Sequence, residues 1–219
     1  LGDLNTALIM TYQEIKHEVE PLIEILRDME LAHTPKFYPF VRRLFNQRLN
    51  FDAPLVAAWF LYLNATNFNG LYRENKCGEY NVPIGSRKKP PICNAEELRA
   101  ASVALRDAHL LVGDFEEVCW RSPGVGAFFY FDPPYDPISD TSSFASYTGA
   151  GFGEDDQRRL QRTFARLDSG GAKCMLSNSD TPLINELYKG YRVERVNAPR
   201  SISATGDRAA VSEVIVRNY

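Results

Sequence analysis

Phe128-Phe129-Tyr130-Phe131-Asp132-Pro133-Pro134-Tyr135 is the stretch that decides the reading of this 219-residue chain. Four large apolar residues in succession predict a buried strand, and the two prolines, having no backbone N–H, cannot extend its hydrogen-bond ladder. The chain is therefore expected to leave the sheet at Asp132. In open α/β sheets ligands gather beyond the carboxyl ends of the strands. This corner thus brings a carboxylate, a backbone carbonyl of restricted torsion and an aromatic ring to the place where a site is expected. Asp and Pro are also ordinary turn residues, and taken alone the tetrapeptide fits a plain strand exit equally well.

Working outward, the sequence from His109 onward alternates short apolar runs with helical patterns. Strands are expected at Leu110–Val112, Ala127–Phe131, Lys173–Leu176, Tyr191–Val196 and Val211–Val216, with helices at Glu154–Leu167 and Pro182–Tyr188. Such alternation predicts a largely parallel sheet. Upstream the apolar spacing is helical over Leu4–His17, again after Pro21, and over Lys36–Asn46, Pro54–Asn64 and Ala95–Arg106. Between them, Asn69–Ile84 carries turn residues at Asn75 and Gly78 between short apolar and aromatic runs, which suggests a β-hairpin.

Composition sets outer bounds. At 44% hydrophobic and 24% charged, the chain has enough apolar residues to bury a real core. No stretch has the length of a membrane span and no signal peptide is visible, so a cytoplasmic location is expected. Cys77, Cys93, Cys119 and Cys174 lack metal-ligand spacing and read as free thiols, and no metal site is expected. A net charge of −3 argues against indiscriminate coating of nucleic acid. Local charge differs: Arg73, Lys76, Arg87, Lys88 and Lys89 stand against only Glu74 and Glu79. A second basic group comprises Arg192, Arg195, Arg200 and Arg208. Either cluster suits phosphate contacts, and either also suits a solvated loop.

The chemistry that fits the Asp132 corner is methyl transfer to an exocyclic amino group. The amino nitrogen of adenine shares its lone pair with the ring, so it is a poor nucleophile until acceptors draw on its hydrogens. Asp132 and the Pro133 carbonyl are suitable acceptors. Pro133 and Pro134 hold that carbonyl in place before substrate arrives, and Tyr135 offers a face for stacking.

Other segments extend this reading. Gly2-Asp3-Leu4-Asn5, Asn67-Phe68-Asn69-Gly70-Leu71-Tyr72-Arg73, Gly78-Glu79-Tyr80-Asn81-Val82-Pro83, Gly113-Asp114-Phe115, Phe144 to Phe152, Leu176-Ser177-Asn178-Ser179-Asp180 and Pro199-Arg200-Ser201-Ile202 occur in that order. With them the chain resembles the Dam-type (D12 class) DNA adenine-N6 methyltransferases over essentially all of its length. The resemblance implies a Rossmann-like S-adenosylmethionine-dependent methyltransferase sheet with helices on both faces. It also implies a mainly helical target-recognition insertion carrying a β-hairpin. Residues 1–20 and 107–219 are then the catalytic domain, and 21–106 the DNA-binding insertion.

The implied catalytic residues are Asp132, Pro133, Pro134 and Tyr135. For S-adenosylmethionine the resemblance points to Asp3 at the ribose, Asp114 and Phe115 at the cofactor's adenine, and Asp132. Each of those acids, read without the resemblance, is equally a helix cap or turn residue. Double-stranded DNA is the implied partner, with no obligatory protein partner and a GATC-like target from which adenine is flipped. Phe68 is the expected wedge, Arg73 the reader of guanine O6 and N7, and Leu71 and Pro83 the residues packing on thymine methyls. Asn69 and the cations Arg87, Lys88 and Lys89 complete the expected DNA surface. Residue by residue the bland readings are core packing for Phe68, a surface ion pair for Arg73 and a simple turn for Pro83.

The family also carries an F-x-G-x-G turn ahead of the segment matching Leu1, so the native chain is expected to continue upstream. Thr148 to Gly153 follows polar residues and reads as a loop rather than a substitute for that turn. The rival readings are a non-catalytic DNA-binding module and a cytosine-N4 methyltransferase, the latter because D-P-P-Y also fits enzymes that methylate cytosine.

Overall fold

The computed structural model describes residues 1–121, 124–138, 151–198 and 211–219. The expected loops at Phe144–Phe152 and Ser201–Gly206, and the Pro199-Arg200-Ser201-Ile202 segment, lie wholly or mainly outside the described residues. The chain forms two compact units, Leu1–Val118 and Cys119–Tyr219. Among the described residues no helix is long and apolar enough to cross a membrane.

The first unit opens with β1 (Gly2–Asp3) and continues through α1 (Thr6–His17), α2 (Val19–Ala32), α3 (Phe37–Asn46), α4 (Ala53–Thr66) and α5 (Ala95–Leu105) to β2 (Leu111–Val112). A short α6 (Phe115–Trp120) follows and spans the boundary between units. Local chemistry explains the helix starts. Asn5 Oδ1 accepts from Leu8 N at 3.2 Å and caps α1, while Asn94 Oδ1 accepts from Glu97 N and caps α5. Pro21 and Pro54 sit in first turns, where a missing N–H costs no intrahelical bond. α4 is apolar on every side, and Ala57, Ala58 and Tyr62 are wholly buried. A helix of that kind belongs at the centre of a core. α1, α2 and α3 pack on it, and α1 also packs on α5.

The expected hairpin is present only as two isolated antiparallel bridges, Asn67 with Ile84 and Glu74 with Tyr80. A continuous ladder does not form because Asn69 (φ 58°) and Gly70 (φ 65°) turn left-handed and Pro83 has no N–H to donate. Side chains reinforce the few backbone bonds of the return: Tyr38 Oη donates to Val82 O at 2.8 Å, and Asn46 exchanges two hydrogen bonds with the Tyr80 backbone.

The second unit contains β3 (Phe128–Phe131), α7 (Glu154–Ser169), β4 (Lys173–Ser179), α8 (Pro182–Leu187), β5 (Arg192–Ala198) and β6 (Val211–Arg217), with strand order β3-β4-β6-β5. β3 and β4 pair in parallel, but β6 is antiparallel to both β4 and β5. The expectation of a largely parallel sheet is corrected accordingly. The helix-linked strands β3, β4 and β5 do run the same way. β6 enters between β4 and β5 in the opposite direction, so two of the three pairings are antiparallel.

β3 also differs from the fully buried strand expected of an apolar run. Phe131 is 8% exposed, whereas Phe128 and Tyr130 are 57% and 54% exposed. The strand is an edge of its four-stranded sheet, and its residues alternate between the two faces. α7 packs on β4 and α8 on α7, enclosing Leu160, Phe164, Leu176, Ile184 and Tyr188. The Phe164 ring meets Tyr188 and Tyr191 edge to face. Each such buried ring contributes about 1.5–3 kcal/mol relative to exposure.

Candidate active site

The chain leaves β3 at Asp132, as the two prolines require. Phe131 lies opposite Leu176 in the parallel register, which sets Ser177 of β4 level with Asp132. Ser177 Oγ donates to Asp132 Oδ1 at 2.8 Å and lies 3.1 Å from Tyr130 Oη. A hydroxyl has one proton, so with Ser177 directed at the carboxylate, Tyr130 is the donor to Ser177. Asp132 is exposed, and Pro133, Pro134 and Tyr135 are half-buried. Among the described residues no donor reaches Asp132 Oδ2 or the Pro133 carbonyl. Burial pushes the Tyr135 phenol above its ordinary value, against the effect of the Ser177 hydroxyl and with that of the nearby Asp132 charge. The corner is therefore an open set of acceptors beside a neutral aromatic hydroxyl.

Beyond Pro133 the loop is tied down by residues for which the sequence suggested no role. Gln157 Nε2 of α7 donates to Pro134 O at 3.0 Å. Asn178 Oδ1 accepts from Asp136 N at 2.9 Å, and Asn178 Nδ2 donates to Gln157 Oε1 at 3.1 Å. Thr181 Oγ1, at the cap of α8, donates to Asp136 Oδ2 at 2.6 Å. A signal for Gln157 did exist. It falls on the same helical stripe as Leu160, Phe164 and Leu167, all buried, where a solvated glutamine has no place.

In the first unit, β1 and β2 pair in parallel with Asp3 opposite Val112, so Asp3 and Asp114 stand at the carboxyl ends of neighbouring strands. Asp3 Oδ1 accepts from Asn5 N at 2.7 Å. Asn5, not Asp3, caps α1. Asp114 Oδ1 accepts from Glu116 N at 2.9 Å and caps α6, whose first residue is the half-buried Phe115. Gly2 is required here: a Cβ at that position would lie 2.7 Å from the Val118 side chain. An exposed carboxylate at one strand end and a second beside an aromatic ring suit the hydroxyls and the purine of a nucleoside.

The expected DNA-contacting residues lie on the bridged return of the same unit. Phe68 is 48% exposed and its N–H donates to Pro83 O at 2.9 Å. Leu71 is half-buried, and its carbonyl accepts from Asn67 Nδ2. Asn69, Arg73, Pro83, Arg87, Lys88 and Lys89 are exposed. Arg73 Nε donates to Asn81 Oδ1 at 2.8 Å. Among the described residues, no carboxylate forms an ion pair with Arg73, Arg87, Lys88 or Lys89. The second basic group differs, because Arg192 pairs with Glu194 and Arg195 with Asp180, each at 2.8 Å. Arg200 and Arg208 lie outside the described residues.

The family model for D12 class N6 adenine-specific DNA methyltransferases matches residues 1–202. The type II methyltransferase M.MjaIII of Methanocaldococcus jannaschii is 41% identical over 230 aligned residues, covering 100% of this chain and 79% of that protein. M1.LlaDCHI of Lactococcus lactis subsp. cremoris, also a type II methyltransferase, is 38% identical over 100% of this chain and 78% of its own length. The DNA adenine methylase of Escherichia coli K12 is 32% identical over 98% of the chain and 77% of its own length. Adenine DNA methyltransferases of this kind use S-adenosylmethionine, and the carboxylate acceptors of Asp3 and Asp114 suit its hydroxyls and amino group. A D-P-P-Y corner at a strand end, two carboxylates at neighbouring parallel strand ends and a family match along nearly the whole sequence agree, and the chain belongs to the D12 class of N6 adenine-specific DNA methyltransferases.

Proposed function

We propose that this protein is a site-specific DNA adenine-N6 methyltransferase acting on adenine flipped out of a GATC-like site. S-adenosylmethionine supplies the methyl group. The observation that carries the reading is the Asp132 corner: an exposed carboxylate oriented by Ser177 and, next to it, a proline carbonyl that no donor occupies among the described residues. Those two acceptors receive the two hydrogens of the exocyclic amino group and return electron density to its nitrogen. Tyr135 stacks against the base. Holding both partners in a near-attack arrangement accounts for roughly 7–11 kcal/mol of the barrier.

In this reading residues 1–20 and 107–219 form the Rossmann-like catalytic domain, with Asp3 at the ribose and Asp114 and Phe115 at the cofactor's adenine. Residues 21–106 read the target: Phe68 fills the space left by the flipped base, Arg73 reads guanine and Asn69 adds to the DNA-contacting surface. Leu71 and Pro83 meet thymine methyls, and Arg87, Lys88 and Lys89 hold phosphates. The exposure of these residues, all but the half-buried Leu71, supports that assignment. The decisive experiment is methyl transfer by Asp132→Ala. Its rate is expected to fall by at least about 10²–10³-fold while DNA binding persists. An active Asp132→Ala protein would overturn the reading.

A further inference from the structure

We propose that Gln157, Asn178 and Thr181 are positioning residues that decide which carbonyl of the D-P-P-Y corner meets the substrate; the inference rests on the function proposed above. Two consecutive proline carbonyls, those of Pro133 and Pro134, are candidates for accepting the amino group. The structure separates them. Pro134 O is already occupied by Gln157 Nε2 at 3.0 Å, and Asp136 N is bound by Asn178 Oδ1 at 2.9 Å. The Asp136 carboxylate is held by Thr181 Oγ1 at 2.6 Å. Gln157 and Asn178 also bond to each other at 3.1 Å, and both are 0% exposed.

Buried amides are costly unless fully paired. Gln157 Nε2 finds its partner in Pro134 O, so the loop conformation completes its pairing, whereas Asn178 Oδ1 accepts from Ser179 N at 2.8 Å as well as from Asp136 N. The three residues come from α7, β4 and the cap of α8, so the loop is fixed to three elements of one unit. The far side of the loop is thereby satisfied by protein groups, and the acceptors left open are Asp132 Oδ2 and Pro133 O. None of the three clamp residues needs to touch substrate or cofactor; they act through the backbone they hold.

The test compares Gln157→Met, Thr181→Val and Thr181→Ser with Leu160→Ala, a buried change on α7 that leaves the clamp intact. Gln157→Met keeps volume but removes the donor to Pro134 O and the acceptor for Asn178. Single-turnover methyl transfer to a duplex is expected to fall by about 10- to 100-fold in Gln157→Met and Thr181→Val, with DNA dissociation constants unchanged. Thr181→Ser retains the hydroxyl and is expected to keep the wild-type rate. Hydrogen exchange provides a readout independent of activity. The Asp136 amide, which donates to Asn178 Oδ1, should exchange faster in the two disabled variants, but no faster in Leu160→Ala than the global loss of stability accounts for.

Wild-type rates in both disabled variants would overturn the proposal. So would an equal rate loss in Leu160→Ala below its melting temperature, or unchanged exchange at the Asp136 amide. Should Gln157→Met fail to fold, the Thr181→Val and Thr181→Ser pair carries the test. Failure of the unmodified protein to methylate DNA would sink the proposed function instead, and amide exchange would still decide whether the clamp exists.

Discussion

Ser177 Oγ on β4 lies 2.8 Å from Asp132 Oδ1, one position past the end of β3, so the parallel register of two strands sets the direction of the corner carboxylate. A hydrogen bond to a charged group is worth about 1.5–3 kcal/mol, and exposure of Asp132 favours the lower end. Ser177→Ala should therefore reduce methyl transfer by about tenfold, a factor that corresponds to 1.4 kcal/mol, with DNA affinity unchanged. Tyr130→Phe, which removes only the donor behind Ser177, should have a smaller effect. Single-turnover rates of the two variants check this ordering.

Asp180 closes β4 with hydrogen bonds from Arg195, Asn185 and Ser212, and these hold its carboxyl down to about 2, against an ordinary value of 3.8. The folded value lies below the unfolded one. The contribution is thus fully present above about pH 4 and is lost as the pH falls toward about 2. The Arg195 side chain is largely exposed, which limits the pair to about 0.2–1 kcal/mol. Asp180→Asn should be less stable than wild type at neutral pH, and the difference should shrink on acidification. Denaturant midpoints measured across that range test it.

Gly85 donates its N–H to Thr66 O at 2.9 Å, and a Cβ at that position would overlap the Asn67 carbonyl oxygen. Backbone cannot retreat from that contact without breaking the Asn67–Ile84 bridge. Gly85→Ala should lose about 1–3 kcal/mol of stability by chemical denaturation. Gly78→Ala makes a useful contrast: a Cβ there meets nothing within 4 Å, and its cost is confined to its φ of 74°.

The exposed cations near the bridged return predict two separable effects on DNA binding. Replacing Arg87, Lys88 and Lys89 by Ala should weaken binding to all duplexes alike. Each lost phosphate contact should flatten the dependence of log affinity on log salt by about 0.9. Arg73→Ala should instead cost about 1–3 kcal/mol on the preferred site and relax discrimination at one base pair. Fluorescence anisotropy at several salt concentrations separates the two.

Much of this was legible in the sequence, and the exceptions have physical causes. Helices α1 to α5 of the first unit follow from apolar spacing, which is a local property; asparagines cap only α1 and α5. The exit of β3 at Asp132 follows from proline's missing N–H. The direction of β6 was not legible, because an apolar run such as Val211–Val216 reads the same in either orientation and only its neighbours fix it. β3 appeared wholly buried since four aromatic residues mask the alternation between its faces. Gln157 was passed over as one polar residue among many in α7. Its importance becomes visible only once β4 brings Asn178 to it.

The placement of β6 has a consequence for how the second unit comes apart. Among the described residues β5 joins the sheet solely through β6, and β6 pairs Arg217 with both Met175 of β4 and Arg192 of β5. It is the keystone of an arch. Unzipping it releases β5 and bares a flank of β4, the strand that carries Ser177 and Asn178, so the slowest-opening amides of this unit should belong to β4 and β6 together.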